Sequence, residues 1–597
     1  MKEFVRTTLA VMAGLFLMGI IGFFFLIAII GGLSMASTQR APIPKHGILR
    51  IDMADFNLGE QGQSTDVISS IQGGTKETIG LWDAIKSIEK AQDDPAIEYI
   101  YLKTDGSSTG IAAKEELRQA LSRFRSSGKA VIAYVENPTC GSFYLSSVAD
   151  KVYMTSSHGI SAMMTGVSSQ LVFLKDILDK LGVNVQLIRH GKYKSAGEMF
   201  TKSASSPENL EQNQVMVEGI WNHICQVTAE SRGISAEAYN DMVDNLCLNL
   251  PEDFLDNRLV DELVTRDQLK ERLTALAVAD KFEDIKFIQF TDYVAAVKAN
   301  AVKTPAKSIA IIYANGEIVD GDYDLQKVAG DYFAEQVAAA RADSNVKAVV
   351  LRVNSPGGSV LASEKIKKEI DLLQKDKPVI ASYGALAASG GYWISNGCDK
   401  IFSDATTLTG SIGVFGMIPD FSKTAKNLLH VGIQAVNSNK HSDMFSLMRP
   451  FDATETAYMQ RSIEDIYSLF VGMVADGRGL SPDYVDSIAQ GRVWVGSDAL
   501  NLKLVDEIGG LQDAVLYAAS AAGDSNPDNF NIKSFPAEKT MIENIIEMFS
   551  NMKNDKTIFA GTPFESIEKT VTSWKGNWKK NKKDVFFARM PYETIIM

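Results

Sequence analysis

The sequence predicts an α/β protein of two tandem repeats, set behind an N-terminal membrane-spanning helix. Three observations predict it. An uncharged apolar run lies near the start, similar segments recur at a nearly constant spacing, and short apolar strand runs alternate with helix-like segments.

The apolar run comes first. No charge occurs between Arg6 and Arg40, and residues 7–35 read "TTLAVMAGLFLMGIIGFFFLIAIIGGLSM". A spanning helix needs about 20 apolar residues, whereas the apolar part of a cleaved signal has about 7–15. The run fits an uncleaved anchor, with residues 1–6 as a short tail before it. A small-residue site at Ser34 to Ala36 leaves cleavage open as the alternative. Lys2 and Arg6 precede the run and Arg40, Lys45 and Arg50 follow it, so the positive-inside count does not orient it.

Composition narrows the class. A chain of 597 residues exceeds one ordinary domain and can bury large cores. An apolar fraction of 45% with 22% charged residues is that of a globular protein. A net charge of −13 argues against nucleic-acid binding as the main activity. Cys140, Cys225, Cys247 and Cys398 show no paired spacing and no adjacent histidine cluster, so no metal site is expected from them.

The repeat organises the rest. "AIEYIYLK" (96–103) and "NVKAVVLR" (345–352) lie 249 positions apart, as do "VADKVYM" (148–154) and "GCDKIFS" (397–403). "DNRLVDELVTRDQL" (256–269) answers "NLKLVDEIGGLQDA" (501–514) at 245. Two homologous units follow, 46–300 and 308–535, joined by the linker "ANAVKTPAK" (299–307). In the second unit "SIAIIYANGEI", "AVVLRVN" and "PVIASYG" read as buried strands, and "DYFAEQVAAARAD" and "SVLASEKIKKEIDLLQK" have helical periodicity. Such alternation implies a largely parallel sheet.

The copies differ chemically. In the second unit a strand runs into "SPGGS", where Gly357 and Gly358 free backbone N–H groups to face an anion. A plain strand–helix turn is the other reading of such a pair. The first unit has "TDGSST" at that offset, without adjacent glycines. Ser389, in "GALAASGGYWIS", falls on Cys140 in "PTCGSFYLSS". The first copy therefore lacks the serine and the glycine pair together. Small residues around Ser389 suit either a tight packing corner or an exposed nucleophile, and Cys140 is a weaker candidate with no base beside it in sequence.

A serine hydroxyl needs a base. His46, His158, His190, His223, His430 and His441 sit in no motif that marks a triad member. A lysine serves only if burial lowers its pKa, ordinarily about 10.4, by roughly 3 units.

Four segments together, "LRVNSPGGSV", "ALAASGGYWIS", "TLTGSIGVFG" and "GRVWVGSDALNLKLVDEIGGL", resemble the long, two-repeat form of the signal peptide peptidase A (protease IV) family. The resemblance covers both repeats and the anchor. It implies two tandem ClpP/crotonase-like units and a Ser–Lys dyad that hydrolyses peptide bonds without cofactor or metal. Ser389 is then the nucleophile. The Tyr-Lys-Ser-Ala motif of "GKYKSAGEMF" makes Lys194 the general base, supplied by the first repeat. Ser411 would orient the lysine amine, and Gly357 with Gly358 would hold the oxyanion. Short relatives take their lysine from the second-repeat counterpart "NSNKHSDMF", so Lys440 is a rival base. Leu386 and Val414 are candidates to line an apolar S1 pocket.

The resemblance further implies remnant signal peptides and other apolar extended peptides as substrates, a homotetramer enclosing a chamber, and a single-pass protein of the bacterial inner membrane. Residues 1–6 would then be cytoplasmic, residues 7–35 would span the bilayer and the catalytic body would be periplasmic. A crotonase-type acyl-CoA enzyme and a non-catalytic scaffold derived from a peptidase are the alternatives. The first needs no serine nucleophile, and the intact set of candidate residues argues against the second. The C-terminal extension 536–597 lies outside the repeats. Its stretch "WKGNWKKNKKDVFFAR" (574–589) carries six basic residues and one acidic, and reads either as a membrane-surface or subunit contact or as a solvated tail.

Overall fold

The structure is a computed structural model that describes residues 46–62, 76–300, 306–321, 327–537 and 587–589, with the isolated positions 14, 18 and 44. Apart from positions 14 and 18, the apolar run 7–35 lies outside the described residues, as does the basic stretch 574–586. Among the described residues no helix is long and apolar enough to cross a membrane.

The first repeat supplies strands β1 (Gly47–Asp52), β2 (Phe56–Gly59), β3 (Glu77–Gly80), β4 (Ile97–Lys103), β5 (Val131–Val135), β6 (Lys151–Thr155), β7 (Asn184–His190), β8 (Glu262–Val264) and β9 (Phe287–Gln289). Six of them form a wholly parallel sheet in the order β8-β6-β5-β4-β1-β9. Its central strand "VIAYV" is buried along its whole length, because helices cover both faces of a parallel sheet. Ile85, Leu117, Phe124, Phe143 and Phe254 pack one of these faces.

The second repeat continues with β10 (Ser308–Asn315), β11 (Ile318–Val319), β12 (Val328–Ala329), β13 (Val346–Ser355), β14 (Gly357–Ser359), β15 (Val379–Ala388), β16 (Lys400–Ser403), β17 (Leu408–Gly410), β18 (Val414–Asp420), β19 (Val493–Val495), β20 (Glu507–Ile508) and β21 (Asn531–Phe535). Its main sheet runs β19-β17-β15-β13-β10-β21, with β16 and β20 branching from β15. The repeat is visible strand by strand. β4 and β13 begin at 97 and 346, and β6 and β16 at 151 and 400, both 249 apart. The helices Ala453–Arg478 and Val360–Asp376 close this core around Trp393, Phe470 and Ile366.

A third sheet joins the repeats in the order β12-β11-β14-β22-β18-β7, where β22 is Phe587–Arg589. β7 of the first repeat pairs antiparallel with β18 of the second along its full length, from Val414↔His190 to Asp420↔Asn184. Between β14 and β18 lies β22, antiparallel to both. The sequence reading set 536–597 outside the repeats, yet this strand returns into the second. Its short run "VFFA" is obscured by the basic residues before it, while two facing strand edges with free backbone groups favour a third strand.

Buried charge also ties the units together. Arg352 on β13 is 1% exposed and bonds Glu60 at 2.7 Å and Glu116 at 2.6 Å, both from the first repeat. Glu115 accepts from Ala405 N at 3.0 Å and Thr406 Oγ1 at 2.8 Å. Such groups are tolerated in an interior only because each charge meets a partner.

Candidate active site

The β7·β18 pairing brings two distant loops together. Three places beyond His190 lies Tyr193 and three before Val414 lies Ser411, so extending the antiparallel register delivers "YKS" (193–195) beside "SIG" (411–413). Lys194 Nζ lies 2.7 Å from Ser389 Oγ, 3.0 Å from Ser411 O and 3.0 Å from Ser411 Oγ. All three residues are fully buried.

Ser389 owes its position to strain. It follows β15 and caps the helix Gly390–Ser395 with φ 56° and ψ −113°, a region L-residues rarely occupy. Its amide donates to Gly410 O at 2.8 Å and its carbonyl accepts from Trp393 N at 2.7 Å, which holds the turn. Ser411 is held alike, with φ 47° and its amide on Arg492 O at 2.7 Å. The small residues flanking Ser389 answer to close approach. A Cβ on Gly390 would stand 3.0 Å from Gly357 Cα and 3.1 Å from Gly358 N. The glycine pair therefore lies directly against the residue after the serine. Gly357, at φ 90°, donates its amide to Ser355 Oγ at 3.2 Å, and Gly358 sits in β14 with Ile318 O so close that no side chain fits.

Burial holds the Lys194 amine well below the usual lysine range. Its surroundings suit the neutral form. An uncharged amine has two hydrogens and one lone pair, matching the two Ser411 oxygens as acceptors and the Ser389 hydroxyl as donor. Ser411 Oγ in turn lies 3.3 Å from Gly491 O as a donor.

Several residues missed by sequence reasoning hold the lysine loop. Arg189 Nη1 donates to Lys194 O at 2.7 Å. Gln212, from the helix Pro207–Arg232, donates to Tyr193 O at 3.0 Å and Ser195 Oγ at 2.7 Å, and accepts from Val493 N of the second repeat at 3.3 Å. Gly491, at φ 80°, packs onto the Lys194 main chain, where a Cβ would come within 2.6 Å of Lys194 N. Gly413 meets the side chain at Cδ, 3.2 Å from its own Cβ position. Both glycines stand in segments singled out above, but nothing in their spelling says that they face a lysine 200 or more positions upstream.

The other candidates lie elsewhere. Lys440 is exposed, within a run from 426 to 440 in which every residue is exposed. Leu386 is half-buried against Tyr144 and Ile220, and Val414 is wholly buried in the second-repeat core. The histidines have other contacts: His190 stacks on Tyr467, His223 lies 3.3 Å from Tyr144 Oη, His158 pairs with Glu252 and His441 with Glu455. His46 and His430 are exposed. In the first repeat Cys140 opens the helix Cys140–Ser146, and burial pushes its thiol up while Gly166 N donates to it at 3.3 Å. Lys114, pulled down to about 8 by burial, lies against the next residue, 3.3 Å from a Cβ on Gly141. Ser363, 249 positions on, holds the corresponding place against Gly390.

Comparison with known proteins agrees with this two-part arrangement. The model of peptidase family S49 matches twice, over residues 123–280 and 371–524. Protease 4 of Haemophilus influenzae is 35% identical over 535 residues, 86% of each chain. Protease 4 of Salmonella typhi is 36% identical, covering 74% of this chain and 72% of its own. The chloroplastic serine protease SPPA of Arabidopsis thaliana is 31% identical over 77% of this chain and 68% of its own.

Proposed function

The chain belongs to peptidase family S49 and is a serine peptidase, and we propose that it works through a Ser–Lys dyad shared between its two repeats. The observation that carries the proposal is the 2.7 Å approach of a buried lysine amine to the hydroxyl of a strained serine. Neutral Lys194 takes the Ser389 proton as Oγ attacks the peptide carbonyl, forming the C–O bond and a tetrahedral oxyanion. The oxyanion rests on backbone N–H groups beside Gly357 and Gly358. Collapse breaks the C–N bond, and the lysine ammonium gives its proton to the departing amine. Water, deprotonated by the same amine, then attacks the acyl-enzyme and releases Ser389. Ser411 keeps the amine aimed throughout. No metal or cofactor enters any step.

The substrate reading is a remnant signal peptide or another apolar extended chain, cleaved internally. It rests on the motif resemblance, and on the apolar run 7–35, which would tether the catalytic body at the bilayer of the bacterial inner membrane. An extended substrate would add as a strand between β14 and β18, where it meets the glycine pair on one edge. β22 fills that interval with backbone pairing from Gly357↔Arg589 to Ser359↔Phe587. Assembly as a homotetramer with the dyads facing an enclosed chamber belongs to the same proposal.

The test is hydrolysis of an apolar fluorogenic peptide by the detergent-solubilised full chain. Ser389→Ala and Lys194→Ala should each abolish turnover, and Lys440→Ala should retain it. Activity in Lys194→Ala with loss in Lys440→Ala would move the base to the second repeat. Activity in Ser389→Ala would refute Ser389 as the nucleophile.

A further inference from the structure

The first repeat keeps the outline of the second repeat's site and changes its chemistry. At the offset of 249, Cys140 stands for Ser389, Gly141 for Gly390, Lys114 for Ser363, and Ser108 with Thr109 for the glycine pair. In the second repeat a Cβ on Gly390 would meet Ser363 Oγ at 2.7 Å, Gly357 Cα at 3.0 Å and Gly358 N at 3.1 Å. A Cβ on Gly141 would meet a single group within 4 Å, the Lys114 amine at 3.3 Å. The loop of Ser108 and Thr109 thus stands back from the turn. An amine takes the place where the second repeat sets its glycine amides.

That amine has nothing to pair with. Lys114 lies on the helix Ile111–Ser126 and is 7% exposed, and among the described residues no acceptor and no carboxylate meets its Nζ. Burial alone lowers it to about 8, so it is an ammonium at neutral pH. The Cys140 thiol, one residue from Gly141, is pushed up by burial and stays neutral. A buried cation with three unmet donors is costly, and a ligand that brings acceptors and a negative charge removes that cost. The way in is open. Ser108 and Gly110, just before the helix, and Thr165 are exposed, and Gly141 is half-buried.

We propose that the first repeat binds the C-terminal carboxylate of an apolar peptide, with the Lys114 ammonium as its partner. One cation without a second basic group suits a single negative charge. A carboxylate is the stable counterpart of the oxyanion that glycine amides hold for an instant in the other repeat. Ile111, one turn before Lys114, is half-buried and packs on an apolar cluster that also holds Leu386, three positions before Ser389. Apolar side chains of a bound peptide therefore find a wall shared with the cutting site. A peptide with a new C-terminal carboxylate is what a peptidase leaves on the acyl side of a cut. One repeat cuts and the other holds the new end. The ligand class rests on the peptidase reading, and not on which lysine serves Ser389.

Isothermal titration tests it, on the detergent-solubilised full chain carrying Ser389→Ala. The probes are acetyl-trileucine with a free carboxylate and the same peptide as its amide. Lys114→Met, uncharged and of similar length, should weaken the carboxylate at least about tenfold, about 1.4 kcal/mol, and leave the amide within about twofold. Lys194→Met should spare the carboxylate. A loss that follows Lys194 instead would place the carboxylate at the dyad and overturn the proposal. Equal loss of both probes in a Lys114→Met chain that melts normally, no loss at all, or no binding of the carboxylate would overturn it too. A second measurement needs no Lys114 variant. The bound carboxylate raises the amine above about 8, so binding is complete well below that pH and is lost as pH rises past it. Carboxylate affinity should fall about fivefold or more between pH 7 and pH 9.5 with the amide unchanged. The same pH dependence for both probes would refute a role for the ammonium.

Discussion

Gly491→Ala should disable the enzyme from a position that makes no side-chain contact with substrate. The added Cβ would stand 2.5 Å from Lys194 Cβ and 2.6 Å from Lys194 N, against main chain that cannot swing aside. Carbon atoms pack at about 3.5–4.0 Å, so the lysine loop must retreat by about 1 Å. That displacement stretches the 2.7 Å approach of Nζ to Ser389 Oγ beyond hydrogen-bond reach. A misplacement of this size costs about 10²-fold in rate, roughly 2.7 kcal/mol of barrier. Overpacking and the positive φ of 80° add about 2–4 kcal/mol of lost stability. The assay is steady-state hydrolysis of an apolar fluorogenic peptide, with a thermal melt to confirm folding. The expected outcome is kcat down about 100-fold with KM within about threefold, since the substrate-binding strands are untouched. Gly472→Ala is the control, in the helix Ala453–Arg478 with nothing within 4 Å of its Cβ position. A folded Gly491→Ala enzyme with kcat within twofold of wild type would refute the view that this glycine holds the lysine in place.

Four further outcomes are expected. Burial lowers the Lys194 pKa, so between that lowered value and the ordinary 10.5 the unfolded chain binds a proton that the folded chain does not, and this residue makes stability rise with pH through that window. Lys194→Met should flatten the rise in urea midpoints measured from neutral to alkaline pH while abolishing turnover, and an unchanged slope would count against a neutral buried amine. Ser411→Ala removes one of two Ser411 contacts to the amine, leaving the carbonyl at 3.0 Å, and should lower kcat about tenfold. Arg352→Met strands Glu60 and Glu116 without their partner and should cost about 3–5 kcal/mol by urea unfolding. Deleting residues 587–597 empties the interval between β14 and β18 and should lower KM about threefold or more at constant kcat. An unchanged KM would mean that β22 does not compete with substrate.

Ser389 and the glycine pair were legible because their signal is local. Small residues at a strand end and a "PGG" before a helix mark a backbone forced into close approach, and the structure sets these segments against one another. The parallel sheets were legible for the same reason, since strand runs and helical periods repeat within each unit. The lysine was not. Lys440 stands in a more polar stretch than Lys194, but neither stretch shows that one lysine is fully buried and the other exposed. That difference is created by β7 pairing with β18, a long-range event with no periodicity to betray it. The family motif, with the more polar setting of Lys440, favoured Lys194. Gln212 and Gly491 were invisible for the same reason, because their partners lie in the other repeat or in a loop far upstream. The strand at 587–589 was hidden by composition, its short apolar run lying behind a basic stretch.

The union of β7 and β18 also sets a clock. His190 and Val414 are neighbours in the sheet yet 224 positions apart in the chain. At a synthesis rate of about 5–20 residues per second, roughly 11–45 s separate the emergence of one from that of the other. Through that interval the Lys194 loop has no β18 to lie beside, and Ser389 is made only 25 residues before the interval ends. If the dyad is shared as proposed, a ribosome-bound chain lacking the second repeat cannot cut the unfolded segments around it. On the proposed dyad, competence arrives only when the second repeat has been made and has closed on the first.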